Sequence, residues 1–240
     1  MSESAGTFSV VRGTTASRYG GFAAIAIIIL LATLPFWGGR ADMRTIAEIA
    51  YYLALAQMWN LLAGYAGLVS VGQQAFLGFG GYMLFVFAIY AGVHPLVAIP
   101  LAGIAAAVMA IPTAFLVFRL RGAYFAIGTW VVAEVYMLAF AQISALGGGS
   151  GMSLPVKIVK SISADRMLRE SAIFWTTLFF SGGVIALVYL LLRSRHGLAL
   201  TAIRDSEIAS ESLGVDNFRT KLAVYIFAAF GTGIIGALIF

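Results

Sequence analysis

Gly64-Tyr65-Ala66-Gly67-Leu68-Val69-Ser70-Val71-Gly72-Gln73-Gln74-Ala75-Phe76-Leu77-Gly78-Phe79-Gly80-Gly81-Tyr82 holds six glycines and two adjacent glutamines in 19 residues, without a charge. A plain membrane span does not concentrate helix breakers this way, because an internal glycine costs about 1 kcal/mol relative to alanine. A solvent loop is not this apolar. Irregular backbone at membrane depth survives only where protein or a water-filled cavity satisfies its N–H and C=O groups, and broken helices of this kind often line transport sites. The stretch predicts an interrupted, re-entrant helix within a membrane bundle. Two readings of its glycines stay open. One is close helix packing, through Gly64 and Gly67 or Gly78 and Gly81. The other adds the lining of a solute pathway, in which Asn60, Gly64, Gly67, Ser70, Gly72, Gln73, Gln74 and Gly78 take part. Uncharged amides hydrogen-bond a passing polar solute without trapping it.

Around this stretch no Asp, Glu, Lys or Arg occurs from Ile49 to Phe118, a run of 70 residues. At about 20 residues per span, that is enough for three crossings. Of the 240 residues, 61% are hydrophobic and 10% charged, against about 45–50% and 25% in soluble domains. Such a chain cannot cover a soluble globule with polar surface. A cytosolic enzyme, a disordered protein and a secreted disulfide scaffold are excluded. There is no cysteine, and the histidines are His94 and His196 alone, so no metal site and no catalytic residue is expected. The net charge of +5 would suggest nucleic acid in a soluble protein. Here it reads as Lys and Arg on the cytoplasmic flanks of spans, with membrane lipid rather than nucleic acid as the surroundings.

The expected fold is all-α: a polytopic bundle of about seven spans. Residues 1–20 form a cytoplasmic N-terminal segment and residues 21–240 the transmembrane domain. The spans are Gly21–Trp37, Thr45–Ala63, Phe79–Gly92, Pro95–Phe118 (interrupted by Pro100 and Pro112), Ala123–Ile143, Ile173–Leu192, and a last one from Leu222. Leu34-Pro35-Phe36-Trp37 lacks a small-x-small cleavage site, so the first run reads as a retained span rather than a signal peptide. The last span is still apolar at Ile239-Phe240, which reads as truncation. Arg12 and Arg18 set the N-terminus inside. Arg119, Arg121 and the loop 193–221 then fall inside and residues 144–172 outside. Lys157, Lys160, Arg166 and Arg169 count against this assignment. Inverting it would expel Arg12, Arg18, Arg119, Arg121, Arg193 and Arg195 together.

In the loop 193–221, Leu198, Ala202, Ala209 and Leu213 share one helical face, and Arg204, Glu207 and Glu211 another. Gly214 fits a C-cap. The pattern predicts one short amphipathic helix on the cytoplasmic side. A helix lying on lipid prefers bulky apolar residues and a basic polar face. This one offers Ala and carries Asp205, Glu207, Glu211 and Asp216, which suits a groove in a cytoplasmic protein.

Asn60–Tyr82 and Gly197–Gly214, followed by Lys221-Leu222-Ala223-Val224 and a Gly-rich span, resemble LivM-type permease subunits of branched-chain amino acid ABC importers. The likeness covers Thr45 to Phe240. It implies a multi-pass permease of a bacterial or archaeal cytoplasmic membrane, beside a second, similar permease. Two ATP-binding subunits attach inside, and a periplasmic or lipid-anchored solute-binding protein delivers solute outside. The loop becomes the coupling helix, with Gly197, Ala202, Arg204, Asp205, Glu207, Ala209, Glu211 and Gly214 seated against an ATPase subunit. Family members continue beyond the Gly-rich span. The solute would be a branched-chain amino acid or a related small polar molecule. The chain has no Gly-x-x-x-x-Gly-Lys-Ser/Thr loop, so ATP and Mg belong to the partner subunits, and no cofactor is expected here.

Two rivals follow from the residues. An ion-coupled secondary transporter would use Glu134, which sits inside a span and needs a partner or water. Glu134 also fits an interhelical hydrogen-bond acceptor. Glu48 lies near the outer end of its span. A membrane-embedded enzyme would need a clustered acid, base or metal set, whereas Glu48, Glu134, His94 and His196 are scattered.

Overall fold

The computed structural model describes residues 15–148, 153–163 and 165–239. Arg12, the Arg18 side chain and Phe240 lie outside the described residues. The chain divides into two compact units, residues 1–43 and 44–240.

In the first unit α1 (Thr15–Ala32) is followed by the single-turn α2 (Leu34–Trp37). Thr33 marks the break: its hydroxyl donates to the Leu30 carbonyl at 2.8 Å and accepts from Trp37 Nε1 at 3.2 Å. Pro35 fits the first turn of α2, where its missing N–H costs nothing. Asp42 Oδ2 accepts the Gly39 N–H at 2.9 Å, tying down the start of α3 (Arg40–Asn60).

The second unit carries the rest. A π-turn (Leu61–Tyr65) follows α3, residues 66–72 are unwound, and α4 (Gln73–Phe85) runs on through a second π-turn (Val86–Tyr90). Then come α5 (Pro95–Val117), α6 (Ala123–Ala141), α7 (Val156–Lys160), α8 (Arg166–Leu192), α9 (Arg195–Asp205), α10 (Glu207–Ser212) and α11 (Asn217–Ile239). All regular elements among the described residues are helical.

Five helices among the described residues are long and apolar enough to cross a membrane: Gln73–Tyr90, Pro95–Val117, Ala123–Ala141, Arg166–Leu192 and Asn217–Ile239. The first two expected spans are helical. The first lies on α1 and α2, with Tyr19–Ala32 as an apolar stretch of α1. The second, from Thr45, runs along α3 into the first π-turn and carries Glu48, Gln57 and Asn60.

The expected interruptions at Pro100 and Pro112 do not occur; α5 runs through both. Proline removes one intrahelical donor, and membrane helices tolerate this when neighbours re-satisfy the backbone. Beside Pro112 the Thr113 hydroxyl lies 2.9 Å from the Met109 carbonyl and 2.8 Å from the Tyr136 hydroxyl. The interruption of the Gly-rich stretch is also narrower than the glycines suggest. Only 66–72 unwinds, while Gly78, Gly80 and Gly81 lie within α4.

The core is built on α11, which packs between α4 and α5. Ala98, Ala102, Ala106, Ala110 and Ala114 form a fully buried stripe along α5 at four-residue steps. A Cβ added at Gly80 would meet the Gly233 carbonyl, and one at Gly236 the Leu77 carbonyl. Backbones therefore approach closely wherever small residues face each other, which is how helices associate when lipid removes the usual hydrophobic drive.

The connections sort into two ends. The turn 118–122, the unwound 67–69 and the loop holding α10 surround one cavity of about 690 Å³. At the other end the Tyr90 hydroxyl donates to the Ala145 carbonyl. Arg119, Arg121 and the 193–221 loop thus share an end, as the charge pattern predicts.

Candidate functional site

Protein groups satisfy part of the unwound segment, while the buried Ser70 hydroxyl has no partner among the described residues. Ala66 N–H reaches the Leu61 carbonyl at 3.3 Å and Leu68 N–H the Leu62 carbonyl at 2.8 Å. The Ser70 carbonyl accepts from Trp59 Nε1 at 3.2 Å, and Val71 N–H donates to Thr129 Oγ1 on α6 at 3.2 Å. Gly67 adopts φ +68°, a left-handed conformation that glycine takes without steric cost. Gly72 is needed for a different reason: a Cβ there would strike the Thr129 carbonyl.

The eight residues expected along a pathway fall into separate places. Gln73 and Gln74 line a groove of about 400 Å³ together with Trp59 and Thr232. Tyr52, Leu55, Ala56 and Leu77 complete its walls. Asn60, Gly64 and Gly67 stand instead toward the 193–221 loop. Asn60 folds back over Gly64, and Arg204 Nη1 donates to the Gly64 carbonyl at 3.1 Å. Ser70 and Gly72 are buried, Gly72 against α6. Gly78 faces open space.

The loop differs from the single helix expected. Ser206 has extended backbone, φ −162° and ψ 113°, and its hydroxyl caps α10 by accepting from Ala209 N–H at 3.2 Å. A serine in this role ends one helix and starts another, so Leu198, Ala202, Ala209 and Leu213 no longer share one cylinder. Gly197, Leu200 and Ile203 are the residues that α9 buries. Gly197 is pressed against the Leu192 carbonyl, and Gly214 closes α10 at φ +83°.

Several charges of the loop are paired while staying exposed. Arg204 holds Asp205 Oδ1 through Nε and Nη2, each at 3.0 Å, as well as the Gly64 carbonyl. Glu207 pairs with Lys221 at 2.5 Å. Asn217, buried at the start of α11, donates to the Glu207 carbonyl at 2.8 Å and to Glu211 Oε1 at 3.2 Å, and accepts from Ser210 Oγ at 2.8 Å. Alongside these charges, Leu198 is 75% exposed, Ile208 81% and Leu213 80%. Ala209 is exposed beside them and Ala202 is half-buried.

Thr129, Asn217, Lys221 and Thr232 are structural participants that periodicity alone does not single out. Thr232 carried a signal: a hydroxyl residue set between Gly231 and Gly233 in an apolar span. Ser206 carried one too, the N-cap serine before an acidic first turn. Glu134 accepts from Trp130 Nε1 at 3.2 Å within its own helix. Glu48 pairs with Arg44 at 3.1 Å on an exposed face. His94 caps α5, its Nδ1 facing the Leu96 N–H at 3.4 Å.

Comparison with known proteins adds the following. The family described as branched-chain amino acid transport system, permease component, matches residues 43–240. The high-affinity branched-chain amino acid transport system permease protein LivM of Escherichia coli strain K12 is 30% identical over 240 residues, covering 89% of this chain and 56% of that protein. The protein of the same name from Salmonella typhimurium is 28% identical over 238 residues, with the same coverages. The chain therefore spans about half the length of these relatives. No solved structure matches it.

Proposed function

Because the chain belongs to the branched-chain amino acid transport system permease family, we propose that it is a permease subunit of an ATP-driven importer, carrying a branched-chain amino acid or a related small polar solute. The observation that carries this reading is the two-sided loop α9–α10. Its exposed side presents Leu198, Ile208 and Leu213 among charged residues. Its inner side is fastened by Arg204 to the Gly64 carbonyl, beside the unwound segment.

The partners are two ATP-binding subunits on the cytoplasmic side, a second permease, and a solute-binding protein outside. The membrane is the cytoplasmic one, with the N-terminus inside. An ATPase subunit receives the exposed side of α9–α10. Closure of the ATPase pair pushes the loop, Arg204 carries the displacement to Gly64, and the backbone at 66–72 shifts between α3 and α4. A helix interrupted by glycine adjusts at lower cost than a continuous one. Solute then passes groups that carry no fixed charge, with Gln73 and Gln74 bordering the way. The ion-coupled alternative has less support, since Glu134 is bonded to Trp130 on its own helix.

The test is gentle solubilisation of the full-length protein from its own membranes, with mass spectrometry of what stays bound. Two nucleotide-binding proteins and a second permease are expected, and are expected to be lost when Leu198, Ile208 and Leu213 are all changed to Glu. A wild-type chain that purifies alone, folded and transporting without ATP, would overturn the reading.

A further inference from the structure

The cavity of about 690 Å³ between the turn 118–122, the unwound 67–69 and α10 lies within the roughly 300–1,000 Å³ of small-ligand sites. Its place in the fold sets its surroundings. The spans Pro95–Val117 and Ala123–Ala141 meet at this turn, and the span Asn217–Ile239 begins beside it. Span ends lie where hydrocarbon gives way to lipid headgroups. The charges that line the cavity are unevenly matched. Glu207 is neutralised by Lys221. Arg121 has neither an ion pair nor a side-chain hydrogen bond among the described residues. The Glu211 carboxylate receives only the Asn217 amide, on Oε1. A cation on the bundle side and a carboxylate on the loop side are thus left without counter-charges. Phe118, Phe125 and Phe218 supply an apolar wall, and Leu120 and Ala123 continue it. From there Tyr124, Ile127, Val131, Val135 and Leu138 run along α6 at helical spacing, each more than half exposed.

We infer that this cavity seats the headgroup of a phospholipid that carries a primary amine, phosphatidylethanolamine being the simplest. Pockets between membrane helices that offer a basic group at headgroup depth bind lipid in this way. Arg121 takes the phosphate, which a guanidinium grips through paired N–H donors. Glu211 accepts from the ammonium, whose three N–H donors a choline headgroup lacks. The acyl chains leave past Leu120 and follow the exposed stripe of α6. An anionic headgroup would match Arg121 but leave Glu211 facing a second negative charge. A soluble zwitterion would match both charges but make no use of the stripe. The bound lipid bridges the turn 118–122 to α10, so the freedom of the 193–221 loop depends on lipid composition. The inference goes beyond the permease reading and is independent of which solute passes.

The experiment uses the full-length protein with the subunits it retains from its own membranes, placed in nanodiscs of phosphatidylethanolamine and phosphatidylcholine in equal amounts. Native mass spectrometry then counts the lipids that stay bound. Phosphatidylethanolamine is expected to be retained about tenfold over phosphatidylcholine, the order of one charge-assisted hydrogen bond, and stepwise N-methylation of its amine should erode the preference. Arg121→Gln should lower retention of both lipids. Glu211→Gln keeps an acceptor for Asn217 and should erase only the preference. Arg119→Gln removes a charge from the same turn without touching the cavity and should alter neither. Hydrogen exchange in residues 207–213 should be slower in phosphatidylethanolamine than in phosphatidylcholine for the wild type, and equal in the two for Glu211→Gln. Equal retention of the two lipids by the wild type, or a preference that survives Glu211→Gln, would overturn the inference. Stronger retention of phosphatidylglycerol would overturn it by marking a plain anion site. Equally firm binding of glycerophosphoethanolamine, which has no acyl chains, would overturn the lipid as the source. No retained lipid in the intact complex would mean that a partner subunit fills the cavity, and would overturn it as well.

Discussion

Arg204 on α9 donates from Nη1 to the Gly64 carbonyl at 3.1 Å, and its Cγ lies 3.6 Å from where a side chain on Gly67 would begin. A single residue of the loop thus touches both the π-turn and the left-handed glycine that follow α3. The loop and the break are mechanically joined.

Arg204→Ala should therefore separate ATP hydrolysis from uptake. The Arg204 side chain is 44% exposed, so its pairing with Asp205 contributes about 1 kcal/mol or less, and the bundle should stay folded. Vesicles with the variant complex should hydrolyse ATP at near wild-type rate while uptake falls about tenfold, the order expected for a lost charge-assisted hydrogen bond of roughly 1.5 kcal/mol. Uptake at the wild-type ratio would remove Arg204 from the coupling route.

Two neighbouring glycines of α4 should respond oppositely to alanine. At Gly80 the new methyl would meet the Gly233 backbone, an overpacking worth about 1–3 kcal/mol. At Gly78 nothing lies within 4 Å, and replacing an internal glycine gains up to about 1 kcal/mol of helix propensity. Thermal unfolding in detergent should place the Gly80→Ala midpoint below wild type and the Gly78→Ala midpoint at or above it. Equal shifts would contradict the packing described.

Gly67→Ala forces an L-residue to φ +68°, at roughly 1–2 kcal/mol. Gly67→Asn should cost less, because asparagine visits this region more readily. The order of the three melting temperatures, Gly above Asn above Ala, is the readout.

Asn217→Ala removes the donor to the Glu207 carbonyl and to Glu211, and the acceptor of Ser210. Buried polar groups left unpaired cost about 1–3 kcal/mol. The loss is local, so hydrogen exchange should accelerate in residues 207–213 and stay unchanged in α5. Uniform acceleration across the chain would mean that Asn217 holds the bundle rather than the loop.

Much of the site was legible in part. The glycines and glutamines of 64–82 locate the break and the groove that Gln73 and Gln74 border. They do not say which glycine meets a backbone. Gly80 rather than Gly78 does, because α11 presents Gly233 opposite it. In the loop, the composition of 193–221 yields helix and the exposed Leu198, Ala209 and Leu213. The pairing of Arg204, Glu207 and Glu211 depends on acceptors and donors elsewhere: Gly64, Lys221 and Asn217.

By itself the sequence determined that this is a helical membrane chain. A run of 70 residues without charge must close its own backbone hydrogen bonds in lipid, and an α-helix does so within each segment. That requirement is local, so composition reveals it. Which helices pack together, which loop charge reaches which carbonyl, and which hydroxyl is left without a partner were decided by tertiary structure. Contacts such as Gly80 with Gly233 or Arg204 with Gly64 join segments far apart in the chain, and no periodicity within one helix encodes the surface of another.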